Sequence, residues 1–121
     1  MKLYLAGPMR GIPEFNFPAF HEAAAALRAM GHEVFSPAER DIERHNGVDI
    51  SKGNTAGDET AAAAQHGFDL RVALGEDLEW ICKHAEGIAL LPGWENSKGA
   101  NAEFATALAL GLAVFQLQET H

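Results

Sequence analysis

The chain has 121 residues, and its 17 Asp and Glu against 9 Lys and Arg give a formal charge of −8. That length supports one domain with one core, and a composition 47% apolar and 21% charged is that of a globular protein, not a disordered or fibrous one. The acidic balance argues against a binder of nucleic acid polymers or anionic membrane surfaces, and the single cysteine, Cys82, excludes an internal disulfide or a cysteine-cluster zinc site.

Leu3-Tyr4-Leu5-Ala6 predicts a short buried strand, closed by Gly7-Pro8. A turn-rich stretch over Met9–Phe15 leads to a helix with Asn16 as N-cap and Pro18 in its first turn. Its apolar residues Phe17, Phe20, Ala24, Leu27 and Met30 share one face, and Gly31 stands where a helix ends. Glu33-Val34-Phe35 predicts a second strand, ended by Ser36-Pro37. From Ala38 to Gly67 the pattern fades, which predicts an irregular insertion or lid at about 38–67 within a single domain spanning 1–121. The run Ala61–Ala64 within it reads as a short helix or as part of the loop. A helix over about Phe68–His84 follows, its stripe marked by Leu70, Leu74, Leu78, Ile81 and Ala85. Gly87–Leu91 is apolar throughout, as a strand buried on both faces should be. A loop over Pro92–Gly99, a helix over about Ala100–Leu110 and a strand over Ala113–Phe115 complete the order. Strands alternating with helices predict an α/β layered fold with a parallel sheet. No apolar stretch approaches the roughly 20 residues of a membrane span, and Met1–Gly7 is too short for a signal peptide, so a soluble cytoplasmic protein is expected.

In such a sheet, ligands bind beyond the carboxyl ends of the strands. Gly7–Gly11 and Gly93–Gly99 both fall there, and both lead into helix N-termini that favour an anion. Arg10 adds one cation, although a glycine loop of this kind also serves as a plain tight turn. Asp77 lies on or beside the apolar stripe of its helix, as either a proton donor of raised pKa or a half-exposed carboxylate at the stripe's edge. Glu103 is expected in the first turn of its helix, where the dipole alone would favour it, among the small residues Ala102, Ala105 and Ala107. Two carboxylates meeting at one sheet end, one ionised and one protonated, are the tools of glycosidic-bond cleavage. Trp94 would stack on a planar ligand or close the edge of the core, and Cys82 reads as packing. His21, His32, His45 and His84 show no metal-ligand spacing on one helix face, and neither metal nor cofactor is expected.

Three segments carry a resemblance: Leu3–Gly11, Glu76–Ile81 and Ser97–Glu103 are similar to the motifs of the nucleoside 2-deoxyribosyltransferase superfamily, which includes the 2′-deoxynucleoside 5′-phosphate N-hydrolases. The nearest likeness is to its small phage and bacterial members. The resemblance implies a flavodoxin-like, Rossmann-like three-layer fold with four or five parallel strands. It implies Glu103 as the nucleophile on C1′ of the deoxyribose, Asp77 as the acid that protonates the departing base, and Tyr4 as the phenol beside the nucleophile. Gly7, Met9, Arg10 and Gly11 match the loop around the sugar and its 5′ substituent, with Trp94, Ser97, Lys98 and Gly99 on the other side of that pocket. At Ser97 the transferases carry an Asp and the hydrolases a Ser, which can donate to a phosphate. Pro8 departs from the hydrolases, which carry a Ser there. The expected activity is cleavage of the N-glycosidic bond of a deoxyribonucleoside or its 5′-monophosphate, by hydrolysis or base exchange, in a homo-oligomer. The alternative is a nucleotide-binding module without catalysis on the same fold.

Overall fold

The computed structural model describes residues 1–49, 51, 52, 54, 57–67 and 69–118. Four parallel strands form one sheet in the order β2-β1-β3-β4: β1 (Lys2–Ala6), β2 (Glu33–Phe35), β3 (Gly87–Leu90) and β4 (Ala113–Gln116). Tyr4 pairs in register with Phe35 on one side and Ile88 on the other, so β1 lies inside the sheet. Five α-helices connect and cover it: α1 (Phe17–Ala29), α2 (Pro37–Arg44), α3 (Glu59–His66), α4 (Leu70–His84) and α5 (Lys98–Ala109).

Residues alternate across a strand, and here the alternation sorts two cores. Leu3, Leu5 and Ala89 face α1, where they pack with Phe17, Phe20, Ala24 and Leu27. Tyr4, Ala6, Ile88 and Leu90 face the other way, toward Ile81 of α4 and Ala100 and Ala107 of α5. Helices on both faces of an all-parallel sheet make a three-layer α/β fold, as the sequence predicts.

Several elements differ from the sequence reading. Asn16 holds the N-cap position of α1, but with φ 62° its side chain does not cap and its amide donates to the Pro8 carbonyl at 3.1 Å. Met30 lies past the end of α1 and is 67% exposed, so the helix face ends at Leu27. Phe68 lies outside the described residues, and α4 begins at Leu70 behind Asp69, whose carboxylate accepts from the N–H groups of Arg71 and Val72. α5 begins earlier than expected, because Ser97 caps it by accepting from the Ala100 N–H at 3.1 Å.

The stretch 38–67, expected to be irregular, contains two helices. The alanine run falls within α3, whose cap Asp58 accepts from the Thr60 N–H. α2 is charged on most of its surface yet buries Pro37, Ala38 and Asp41. Gly57 ties this stretch to the first loop, since its carbonyl accepts from the Gly11 N–H at 3.0 Å. With φ +62° and the backbone of Gly11 and Ile12 against it, position 57 leaves no room for a Cβ.

Candidate active site

The buried positions of α4 are Ala73, Asp77 and Ile81, a line of residues four apart. Leu70, expected on the stripe, is 39% exposed, so the buried face is turned toward Asp77. Asp77 is therefore at the centre of that face and 7% exposed, not half-exposed at an edge. On α5 the buried positions are Ala100, Glu103 and Ala107. Glu103 sits in the second turn, beyond the first-turn position expected for it, and is also 7% exposed. The helix dipole fades beyond the first turn, so it does not explain a carboxyl here.

α4 and α5 pack against one another on the same side of the sheet, and both carboxyls line one cavity at the carboxyl end of β1. The cavity has a volume of about 90 Å³ and is open to solvent at its mouth. Beneath it the fully buried Tyr4 hydroxyl donates to Glu103 Oε2 at 2.7 Å. Tyr4 does not itself line the cavity; it acts on both carboxyls from beneath. The Oδ1 of Asp77 is buried without a hydrogen-bond partner.

Burial pushes both carboxyls far above the ordinary range. Asp77 rises to about 7, through burial and then the charge of Asp41, against the opposing pull of Tyr4. Glu103 rises to about 8, through burial and then the charge of Asp77, against the Tyr4 hydrogen bond. The phenol O–H of Tyr4 donates to Glu103 and stabilises its anion, and Tyr4 pulls Asp77 down as well, while the Oδ1 of Asp77 has no donor. The two carboxyls titrate as one coupled unit that still holds a proton near neutrality.

A third carboxyl in the cavity, Asp41 of α2, was not singled out from the sequence. Its side chain is bound by Arg44 Nη1 at 2.5 Å, and Arg44 also donates to Glu76 at 3.2 and 3.3 Å. Glu76 is thus tied to α2, with Arg40 a further 2.8 Å partner. Ser36-Pro37 is a helix-start signal, and Ala38 and Asp41 three residues apart give the buried face; read that way, α2 was findable.

Of the remaining sequence candidates, Gly7, Met9, Arg10, Ser97 and Gly99 line the same cavity. A Cβ on Gly7 would meet that of Leu91 at 2.7 Å, so the chain passes close to β3 there. Lys98 lines a neighbouring cleft with Met9, Arg10 and Ser97. Gly11 turns the loop at φ +75° and bonds to Gly57 without lining the cavity. Trp94 packs on Phe104 with ring centroids 4.7 Å apart, closing the edge of the core. Cys82 is exposed, which overturns its reading as packing. Among the described residues, no group of three His, Cys, Asp or Glu side chains could hold a metal ion.

Fold and site together define a small three-layer α/β protein with two coupled carboxyls in a cavity at the carboxyl end of its parallel sheet. The chain belongs to the family described as Domain of unknown function (DUF4406), which matches residues 1–116. No protein of curated function matches it. Among the described residues no helix is long and apolar enough to cross a membrane.

Proposed function

We propose that this protein cleaves the N-glycosidic bond of a 2′-deoxyribonucleoside or its 5′-monophosphate, as the resemblance to the nucleoside 2-deoxyribosyltransferase superfamily implies. The observation that carries this reading is the Asp77–Glu103 pair in one cavity, with Tyr4 donating to Glu103 in a bond of 2.7 Å. In this mechanism the Glu103 carboxylate attacks C1′ of the sugar. The C1′–N bond breaks, its electrons leave with the base, and Asp77 supplies the proton that neutralises it. The resulting glycosyl ester on Glu103 is then opened by water, or by the nitrogen of a second base, with Asp77 taking the proton back.

The raised pKa of Asp77 suits an acid that must hold its proton near neutrality. Tyr4 is a positioning residue, since it keeps Glu103 aimed and partly stabilises its charge. The 5′ end is assigned to Arg10, Ser97 and the N–H groups that open α5. Although Ser97 Oγ accepts from the Ala100 N–H, its own hydrogen remains to donate to a phosphate.

Assembly into a homo-oligomer is part of the proposal. The exposed apolar residues include Leu108 of α5, Leu110 at its end, and Val114 and Phe115 on the edge strand β4. Cytoplasmic residence is supported by the exposed free thiol of Cys82, which suits a reducing compartment.

The test is incubation with the common deoxyribonucleosides and their 5′-monophosphates, with free base read by chromatography. Base release by the wild-type chain that disappears in Glu103→Ala supports the reading. Equal release by both proteins would refute the mechanism. Binding of nucleotides without release by either protein would replace it with a sensing module.

A further inference from the structure

A second cleft opens beside the cavity, with Met9, Arg10 and Ser97 as a wall common to both. The cleft has a volume of about 520 Å³, within the roughly 300–1,000 Å³ of sites that take small molecules. Beyond the common wall its polar groups are Asn16, Asn96 and Lys98, none of which lines the cavity. The chain has 17 Asp and Glu, yet none of them is among the described residues that border this cleft. Elsewhere the fold sets its cations against carboxylates, as with Arg28 on Glu39, Arg40 and Arg44 on Glu76, and Lys83 on Glu79. Lys98 stands instead in a space shared with the amides of Asn16 and Asn96.

That chemistry narrows the occupant. A cationic ligand would need a carboxylate, and a second base would need a ring to stack on; the described border of the cleft has neither. Amide N–H groups, a hydroxyl and two cationic side chains are the donors that tetrahedral anions accept from. The backbone beside it is unusual as well. Glu14, Phe15 and Asn16 are three successive residues in the left-handed region, at φ 53°, 52° and 62°, which is uncommon outside glycine and concentrates at ligand sites. This turn sets Phe15 in the wall of the cavity and Asn16 in the wall of the cleft. The Asn16 amide donates one hydrogen to the Pro8 carbonyl at 3.1 Å and keeps a second.

We propose that the cleft binds the terminal phosphates of a nucleoside 5′-di- or triphosphate, so that polyphosphates rather than monophosphates are the preferred substrates of the adjoining cavity. This rests on the N-glycosidic reading above, in which the 5′ end lies against Arg10 and Ser97. A first phosphate meets that common wall. A chain that continues from it, away from the sugar, enters the cleft, and only such a chain reaches Asn16, Asn96 and Lys98. The phosphate chain stays intact, since the bond that breaks is C1′–N. Each added phosphate brings further negative charge to a protein whose own formal charge is −8, and an acid-free border with Lys98 is where that charge is tolerated.

Base release by the wild type is measured for the common deoxynucleosides as mono-, di- and triphosphates, in EDTA so that no divalent cation carries the phosphates. Equilibrium binding of the same nucleotides and of inorganic tripolyphosphate is measured in Glu103→Ala, which cannot turn over, and again with Lys98→Ala or Asn96→Asp added. The expected lead of triphosphate over monophosphate is at least about tenfold in kcat/KM and in affinity, the size of one charge-assisted hydrogen bond, with the diphosphate between them. Tripolyphosphate should displace the triphosphate, and each added substitution should remove most of the lead. Equal mono- and triphosphate in the wild type, or a lead that survives either substitution, overturns the assignment of the cleft and leaves the cleavage reading standing. A triphosphate lead in binding, with no base released from any nucleotide, overturns the cleavage reading and keeps the cleft. Lys98 and Asn96 are both exposed, and should either variant fail to fold, the mono- against triphosphate comparison decides on the unaltered protein.

Discussion

The two faces of the sheet are made from the same strands and do opposite work. Toward α1 the side chains are Leu3, Leu5, Phe17, Phe20 and Leu27, with no ionisable group among the buried residues of that cluster. Toward α4 and α5, the alternate residue Tyr4 carries a hydroxyl, and two carboxyls stand near it at the sheet's end. The first face gains stability by excluding water. On the second, the same exclusion works against charge and turns two ordinary carboxyls into a coupled pair that holds a proton near neutrality. One core layer is therefore a source of stability, and the other converts part of it into reactivity.

Substitutions on the two faces should separate accordingly. The largest effect is expected for Glu103→Ala, which should lower base release by roughly 10⁴-fold or more, because no other group can form the ester. Free-base chromatography checks this, with circular dichroism confirming the fold. Leu5→Ala, on the opposite face, should cost about 2–5 kcal/mol of stability in urea unfolding while leaving the rate of the folded fraction unchanged. Asp77→Asn should slow release by roughly 10²-fold, most for poor leaving groups, and remove the alkaline fall in the rate profile. In the wild type that profile should peak near pH 7–8, where the pair carries one proton.

A smaller effect concerns stability and pH. The folded-state values of about 7 and about 8 lie above the ordinary 3.8 and 4.5, so the folded state holds these protons more tightly than the unfolded chain. The stability this confers is complete below about pH 4 and is lost as pH rises through 8. Tm should therefore fall between pH 5 and 8, and Glu103→Gln should flatten that slope. A slope unchanged in Glu103→Gln would break the contrast between the faces. The smallest expected change is for Tyr4→Phe, about tenfold in rate. Losing the bond that lowers the Glu103 pKa should also move the acid limb of the profile to higher pH.

How much of this was legible in the sequence depended on which force placed each residue. β1, β2, β3 and α1 were readable because burial on one or both faces writes an apolar pattern into the residues themselves, as in Gly87–Leu90, whereas β4 carries the apolar residues without the burial. Tyr4 was named together with its buried strand, whereas Asp77 and Glu103 could be named from motifs without the extent of their burial. On α4 the leucines suggested a stripe that tertiary packing turned toward Ala73 and Asp77. α2 went unread because Glu39, Arg40, Glu43 and Arg44 dominate it, and its stability comes from the pairing of Arg28 with Glu39 and of Arg40 and Arg44 with Glu76. Those partners lie on other helices, and no local window contains them. The spacing of Ala38 and Asp41 marks a buried face, but that this face meets the cavity is set by those distant partners.

The position of β1 inside the sheet also bears on the order in which the chain can assemble. β1 precedes the other strands along the chain, and its neighbour β2 follows within about thirty residues, so Leu3 can pair with Val34 early. Its other neighbour is far away in the chain, since Leu3 pairs with Gly87 and the Tyr4 hydroxyl meets a carboxylate 99 residues on. Closing such distant contacts is the slow part of folding for a protein of this size. During synthesis the amino-terminal half can hold only a two-stranded β1–β2 ribbon backed by α1, with the far edge of β1 open. The cavity can form only after α5 has emerged, so the two carboxyls are brought together last, on a scaffold whose apolar face can already have begun to form.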